Sequence, residues 1–326
     1  MYKNYYKLQR NPFEITPDPS FLFPTRRHNE ALASLYYGVT ARRGFVVLTG
    51  EVGTGKTLIL RALLGLLQRR DVAFALIFNP SLSSLEFMRY IAGDFGLEVA
   101  GKAKDELIHA LNDFLLQRYQ KGLTSLLVVD EAHHLSPELL EEIRLLTNLE
   151  TSQQKLLQIV LAGQPELDEK LDSHQLRQLK QRIALRCHLD ALGLIEVAEY
   201  IARRLQISGA PATAEIFSTA AVQAVFRHSG GIPRLVNTIC ENALLAGYAK
   251  QAATIPPEII DDVARDLRLG VSSASSKNVD SKNRGGSRAK EIAQDDLLRA
   301  VKKVLEGQDR EQDRAPEEAE TKGRLQ

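Results

Sequence analysis

Cysteine is nearly absent: among 326 residues only Cys187 and Cys240 occur, far apart and without histidine partners at ligand spacing. Such usage suits a reducing compartment and argues against a zinc site, and two half-buried thiols are the plain reading. Long apolar runs are missing too. None approaches the roughly 18 to 20 residues of a membrane span, and the opening MYKNYYKLQRNPF lacks the apolar core of a signal peptide. The expectation is therefore a cytoplasmic chain with no membrane span. Nor is there an excess of charge of one sign, since 42 basic and 41 acidic side chains leave a formal charge of +1. This excludes a bulk polycation that wraps nucleic acid by charge alone, though not a local basic patch. No internal repeat of solenoid length is present.

What remains is the composition of a soluble globular protein, 44% hydrophobic and 25% charged, at a length of about two ordinary domains. Five short β-rich runs, at 44–49, 72–78, 125–129, 157–162 and 185–189, alternate with helical patterns at 56–69, 84–95, 104–120, 137–149 and 165–171. Most of the runs are too continuously apolar to have a wet face, so the alternation specifies an α/β fold with a buried parallel five-stranded sheet and flanking helices. An opening helix at 26–43 has Thr25 as its N-cap and Gly44 as its stop. After Leu192 the strands cease. Four helical patterns, near 195–206, 214–228, 233–250 and 256–269, predict a second, all-helical domain, called the lid after the resemblance given below. The expected division is 1–192 for the sheet domain, 193–270 for the lid, 271–288 for a disordered linker, and 289–326 for a short amphipathic helix and charged tail.

The segment Gly50-Glu51-Val52-Gly53-Thr54-Gly55-Lys56-Thr57 matches G-x-x-x-x-G-K-[ST] at every specified position, directly after a strand and at the start of a helix. Glycines let backbone N–H groups turn inward around phosphate oxygens, and the helix N-terminus adds partial positive charge. Lys56 should neutralise the β and γ phosphates of ATP, and Thr57 should hold Mg²⁺. The run Leu126-Leu127-Val128-Val129 ends in Asp130 and Glu131, at the strand edge where phosphates lie. Asp130 is the expected metal ligand, and Glu131 the residue that polarises the attacking water.

Asp130-Glu131-Ala132-His133 also spells the signature of certain helicases, but such an enzyme needs a second nucleotide-facing α/β domain where this chain turns helical. His133 and His134 read as helix-start or surface histidines. Gln164, at the end of LQIVLAG, can hydrogen-bond the γ-phosphate or its water, with a plain loop amide as the competing reading. Arg177, Arg182 and Arg186 lie just before and within the last strand, where one can reach a neighbouring subunit's nucleotide as an arginine finger, with Arg182 the first choice and a solvated arginine the plainer reading of any single one. Arg234, in Gly230-Gly231-Ile232-Pro233-Arg234, opens a helix of the helical domain from which it can report the γ-phosphate, with a plain helix-start arginine as the competing reading.

With these motifs in this order, the chain resembles the AAA+ ATPases and, more narrowly, the general secretion pathway protein A (ExeA-type) branch. YYKLQRNPFEITPDPSFLFPTRRHNEAL, LTGEVGTGKT, VVDEAHHL and SGGIPRLVN are similar to that branch over about residues 5–269. The resemblance implies a five-stranded core with a helical lid, Mg²⁺-dependent ATP hydrolysis, and a homo-oligomer with shared ATP sites. It implies a region around Asn11, Pro12 and Phe13 near the adenine, and a protein partner in an envelope secretion or polysaccharide export system. Members of the branch also carry a membrane span and a peptidoglycan-binding domain after the ATPase, where residues 271–326 read otherwise. Related AAA+ proteins help DNA transposition, which makes an ATP-dependent DNA-binding helper the alternative. The near-zero net charge weighs mildly against it.

Overall fold

The computed structural model describes residues 1–14, 21, 23, 25–68, 70–78, 82–211 and 214–269, so the expected linker and terminal helix lie outside the described residues. Five strands, β1 (Phe45–Gly50), β2 (Ala73–Ile77), β3 (Ser125–Val129), β4 (Leu157–Gly163) and β5 (Ile183–Leu189), form one sheet in the order β2-β3-β4-β1-β5. Every pair is parallel.

The continuous apolar runs have a direct structural meaning. Successive side chains of a strand point to opposite faces. Phe45, Val47, Leu127, Val129, Ile159 and Leu161 enter one hydrophobic cluster, while Val46, Leu48, Leu126, Val128, Val160 and Ala162 enter another on the far face. Both faces are covered, so β1, β3 and β4 are buried from end to end. The edge strand β5 instead alternates partly buried and exposed positions, and it begins at Ile183, two residues before the apolar run. On the first face α4 (Ser84–Asp94), α5 (Lys104–Gln120) and α6 (Pro137–Leu146) contribute Phe87, Leu111 and Ile143; on the other α2 (Arg26–Thr40) and α3 (Lys56–Gln68) contribute Leu35 and Leu63. Each such side chain stabilises the sheet by about 1.5–3 kcal/mol. Thr25 caps α2 by accepting the His28 N–H, but the helix stops at Thr40 rather than 43 because Arg42 turns to φ 51°.

The stretch expected to form the lid, and called the lid below, folds as α9 (Leu194–Ile207), α10 (Thr219–Ser229), α11 (Pro233–Ala249) and α12 (Pro257–Asp266) around a separate hydrophobic cluster. The first thirteen residues, grouped with the sheet on sequence order, pack here instead. A four-residue helix α1 (Tyr2–Tyr5) and the segment behind it bury Tyr2, Tyr6, Leu8 and Phe13 in the lid cluster. Tyr6 donates to the Ala252 carbonyl at 2.9 Å, and Arg204, only 6% exposed, donates to the Pro12 carbonyl at 2.8 Å. Short connectors, α7 (Glu166–Asp172) and α8 (Arg177–Lys180), lead from β4 to β5.

Candidate nucleotide-binding site

Between the end of β1 at Gly50 and the start of α3 at Lys56 the chain makes a tight loop whose shape depends on two glycines. Gly53 takes φ +84° and Gly55 φ +104°, in the left-handed range that side chains with a Cβ avoid. At Gly53 the space is filled from the lid, since a Cβ there would stand 2.6 Å from the Cβ of Arg234. The loop is braced from α2 as well. His28 Nε2 donates to the Thr54 carbonyl at 3.1 Å, so in the neutral ring Nδ1 is the acceptor, and it meets the Thr25 hydroxyl at 2.6 Å. Burial pushes the His28 pKa down, which keeps this neutral arrangement.

Lys56 is 6% exposed and donates to the carbonyls of Gly50 (2.7 Å) and Glu51 (3.0 Å). Burial lowers its pKa, while the carboxylates of Glu131, Asp130 and Glu51 act the other way. Thr57, one residue into α3, donates its hydroxyl to Asp130 Oδ2 at 2.7 Å. Asp130 is 4% exposed, and its other oxygen accepts the N–H of Glu131 at 2.9 Å. That bond holds Glu131 at φ +50°, a backbone conformation costing roughly 1–2 kcal/mol for a residue other than glycine.

These groups fit a phosphate-bound magnesium ion. Among the described residues no cluster of three or more His, Cys, Asp or Glu could hold a metal by itself. Magnesium, however, takes one or two protein oxygens and completes its shell with water and phosphate, which the paired Thr57 hydroxyl and Asp130 carboxylate suit. Oε2 of Glu131 is buried without a hydrogen bond; His133 Nδ1 stands 3.4 Å away, outside hydrogen-bond geometry.

The C-terminal ends of β1, β3 and β4 thus gather the loop, Asp130, Glu131 and Gln164. Gln164 touches His133 rather than Glu131, with its Nε2 at 2.9 Å from the ring Nε2. His133, a surface or helix-start histidine by sequence, has a side chain only 8% exposed and sits between the two; a histidine pair in a helix-start pattern carries no signal for this. Arg234 reaches the loop from α11, its N–H donating to the Gly53 carbonyl at 3.3 Å. The other arginines lie elsewhere. Ile183 is in register with Phe45 and Leu189 with Gly50. Arg182 therefore flanks the start of β1, about 17 Å of strand away from the Gly50–Thr57 loop. It donates to Thr147 Oγ1 at 2.6 Å; Arg186 pairs with Asp168 (3.0 Å) and Asp172 (3.1 Å), and Arg177 is exposed on α8.

A family model described as an AAA domain matches residues 39–171, the span from the end of α2 to α7. General secretion pathway protein A of Aeromonas hydrophila is 47% identical over 251 residues, which is 77% of this chain and 45% of that protein. Residues 39–171 thus match an AAA domain, in a chain similar to that secretion protein over most of its own length. The chain spans under half the length of that relative. The ATP-dependent target DNA activator B of Escherichia phage Mu is 29% identical over 131 residues, 40% of this chain and 39% of that one. Among solved structures, Cdc6p from Pyrobaculum aerophilum matches this chain with a TM-score of 0.59 at 19% identity, covering 80% of this chain and 72% of that one. The Aeropyrum pernix ORC2 protein matches with a TM-score of 0.58 at 17% identity, over 79% and 72% of the two chains. Both likenesses show the fold: a parallel five-stranded sheet with flanking helices. No helix among the described residues is long and apolar enough to cross a membrane.

Proposed function

We propose that this chain binds ATP with Mg²⁺ at the Gly50–Thr57 loop, hydrolyses it, and uses the nucleotide state as a conformational and assembly switch. One observation carries the reading: the Thr57 hydroxyl bonded to Asp130 Oδ2, beside Lys56 and the unpartnered Glu131 Oε2. Backbone N–H groups of the loop and the Lys56 ammonium neutralise phosphate charge. Thr57 and Asp130 would hold the metal, which supplies further charge neutralisation when bound. Glu131 orients and deprotonates the attacking water. Gln164 stands behind Glu131, and Arg234 couples the lid to the loop through Gly53. Residues 1–192 and 193–270 serve as nucleotide-binding and lid units, apart from the opening segment that packs on the lid. Arg182, too far from its own loop, acts on the site of a neighbouring copy in a homo-oligomer.

The 47% relative, a secretion pathway protein, supports service to a secretion system, which we read as envelope secretion or polysaccharide export served from the cytoplasmic side. The phage Mu relative favours a second reading, an ATP-dependent DNA-binding helper. A DNA titration with and without ATP at fixed salt separates the two, because phosphate contacts make binding salt-dependent. For the chemistry, Lys56→Ala should abolish ATP binding. Glu131→Gln should bind ATP while hydrolysis falls by about 10² to 10⁴, the range for a positioned base. Normal turnover in Glu131→Gln would remove Glu131 from that role.

A further inference from the structure

Helix α11 has two apolar faces, and the lid core takes only one of them. Ile239, Cys240, Ala243 and Leu244 enter the hydrophobic cluster of the lid. On the outer side Leu245 is 47% exposed and Tyr248 37%, and Tyr5 of α1, also 37% exposed, meets Tyr248 edge-on with ring centroids 5.7 Å apart. The three are held together because α1 is fastened to α11. Tyr2 donates to Glu241 Oε1 at 2.7 Å, one turn before Leu245, and Tyr6 donates to the Ala252 carbonyl just beyond the helix. Apolar side chains scattered singly on a surface need no explanation, whereas adjoining ones offer a face that another element can cover. The rim of this face is basic: residues 1–13 contain Lys3, Lys7 and Arg10 and no acid.

A matching segment stands in the same sequence. Among residues 292–305, which lie outside the described residues, Leu297, Leu298, Val301, Val304 and Leu305 have the spacing of one helical face, and a short helix of that kind is stable in water only when its apolar face is packed. Residues 306–320, which follow it, carry seven acids against two bases, the complement of the basic rim. Reach is sufficient. The last described residue, Leu269, packs against the lid cluster, and α12 before it lies along α11, with Asp262 Oδ2 3.1 Å from the Lys250 ammonium. The connecting residues 270–291, rich in Ser, Asn, Lys and Gly, give an r.m.s. span of about 23–28 Å, and α11 itself is about 25 Å long. Such a tether holds a segment at about millimolar effective concentration, well above what a second copy supplies in dilute solution. We propose that residues 292–305 dock as an amphipathic helix on the Tyr5, Leu245 and Tyr248 face of their own lid. Leu245 lies about 16 Å along α11 from Arg234, so the docked segment leaves the Gly50–Thr57 loop open and the proposal does not depend on the nucleotide reading.

The chain contains no tryptophan, so Leu298→Trp gives the full-length protein a single fluorescent reporter on the docking face. Its emission should lie at shorter wavelength than that of a solvated indole, and should hold over about a hundredfold dilution, because a tether fixes the effective concentration whatever the protein concentration. Adding Leu245→Asp should shift the emission to the solvated value. Leu245 is exposed, so this change leaves the lid core intact; Val301→Asp, made in the segment instead, should give the same shift without touching the lid. A short-wavelength emission that fades on dilution, or that occurs only in an oligomer by light scattering, makes a second copy the occupant and overturns the proposal. Emission already at the solvated value in the purified protein, or unmoved by Leu245→Asp, overturns it as well.

Discussion

Gly231 lies at the junction of sheet and lid, and replacing it with alanine should cost far more than the loss of a flexible residue. Its φ is +78°, and an added Cβ would lie 1.9 Å from the Leu192 carbonyl oxygen, 3.0 Å from its carbon and 3.1 Å from its nitrogen. These are backbone atoms. They cannot rotate aside as a side chain can, and Leu192 is tied to the same glycine by a 2.9 Å bond from its N–H to the Gly231 carbonyl. Gly96 provides the control, with φ +79° and nothing within 4 Å of an added Cβ. Both substitutions incur the left-handed backbone cost of about 1–2 kcal/mol. Gly231→Ala must in addition break or stretch the Leu192 bond, about 1–3 kcal/mol for a buried pair. Urea unfolding should therefore give Gly231→Ala a loss about 1–3 kcal/mol greater than Gly96→Ala. Nucleotide affinity should fall only in Gly231→Ala, since Arg234, three residues on, abuts Gly53. Equal losses of stability would mean that the contact at Leu192 carries no energy.

His28 should make the fold sensitive to acid. Its pKa in the folded state is pushed below the ordinary 6.5, so the unfolded chain takes up the proton first; stability is full above about pH 6.5 and declines as pH falls below it. Urea midpoints at about pH 7 and pH 5 should draw closer in His28→Gln, and an unchanged gap would assign the slope to another group. Arg204→Met should lower stability by about 1–3 kcal/mol through the lost charged bond to the Pro12 carbonyl, and should speed proteolysis of the opening segment. Arg182→Ala should spare nucleotide affinity but lower turnover, and mixing it with Glu131→Gln should restore measurable hydrolysis at composite sites. A dead mixture of variants that still assemble would leave Arg182 as no more than the partner of Thr147.

Legibility in the sequence followed burial. β1, β3 and β4 were plain because both faces of each are covered, which demands an unbroken apolar run; β5 was located less well because an edge strand wets one side. The strand-loop-helix context of Gly50 to Thr57 was equally plain, for glycine, lysine and threonine must sit at fixed offsets to shape the turn. The opening segment was not. Its tyrosines at positions 2 and 6 announce a buried face but carry no information about which core receives it, and the lid lies some two hundred residues away.

Contacts between distant segments decide the site itself, and a single sequence encodes them only as compatibility. Gly53 is required by its own φ, a local property that the motif displays, yet its missing Cβ also admits Arg234, which no spacing reveals. His133 is the sharper case. Three residues beyond Asp130 in a one-turn helix, it looks like surface; only the clamp of Lys170 and Gly163 presses its ring between Glu131 and Gln164. The residues proposed to do chemistry are therefore named by their types, whereas those that would position them acquire that place only from the fold. Substitutions at His28 and Gly231 probe that second group, for each acts through a contact that exists only once distant parts of the chain have met.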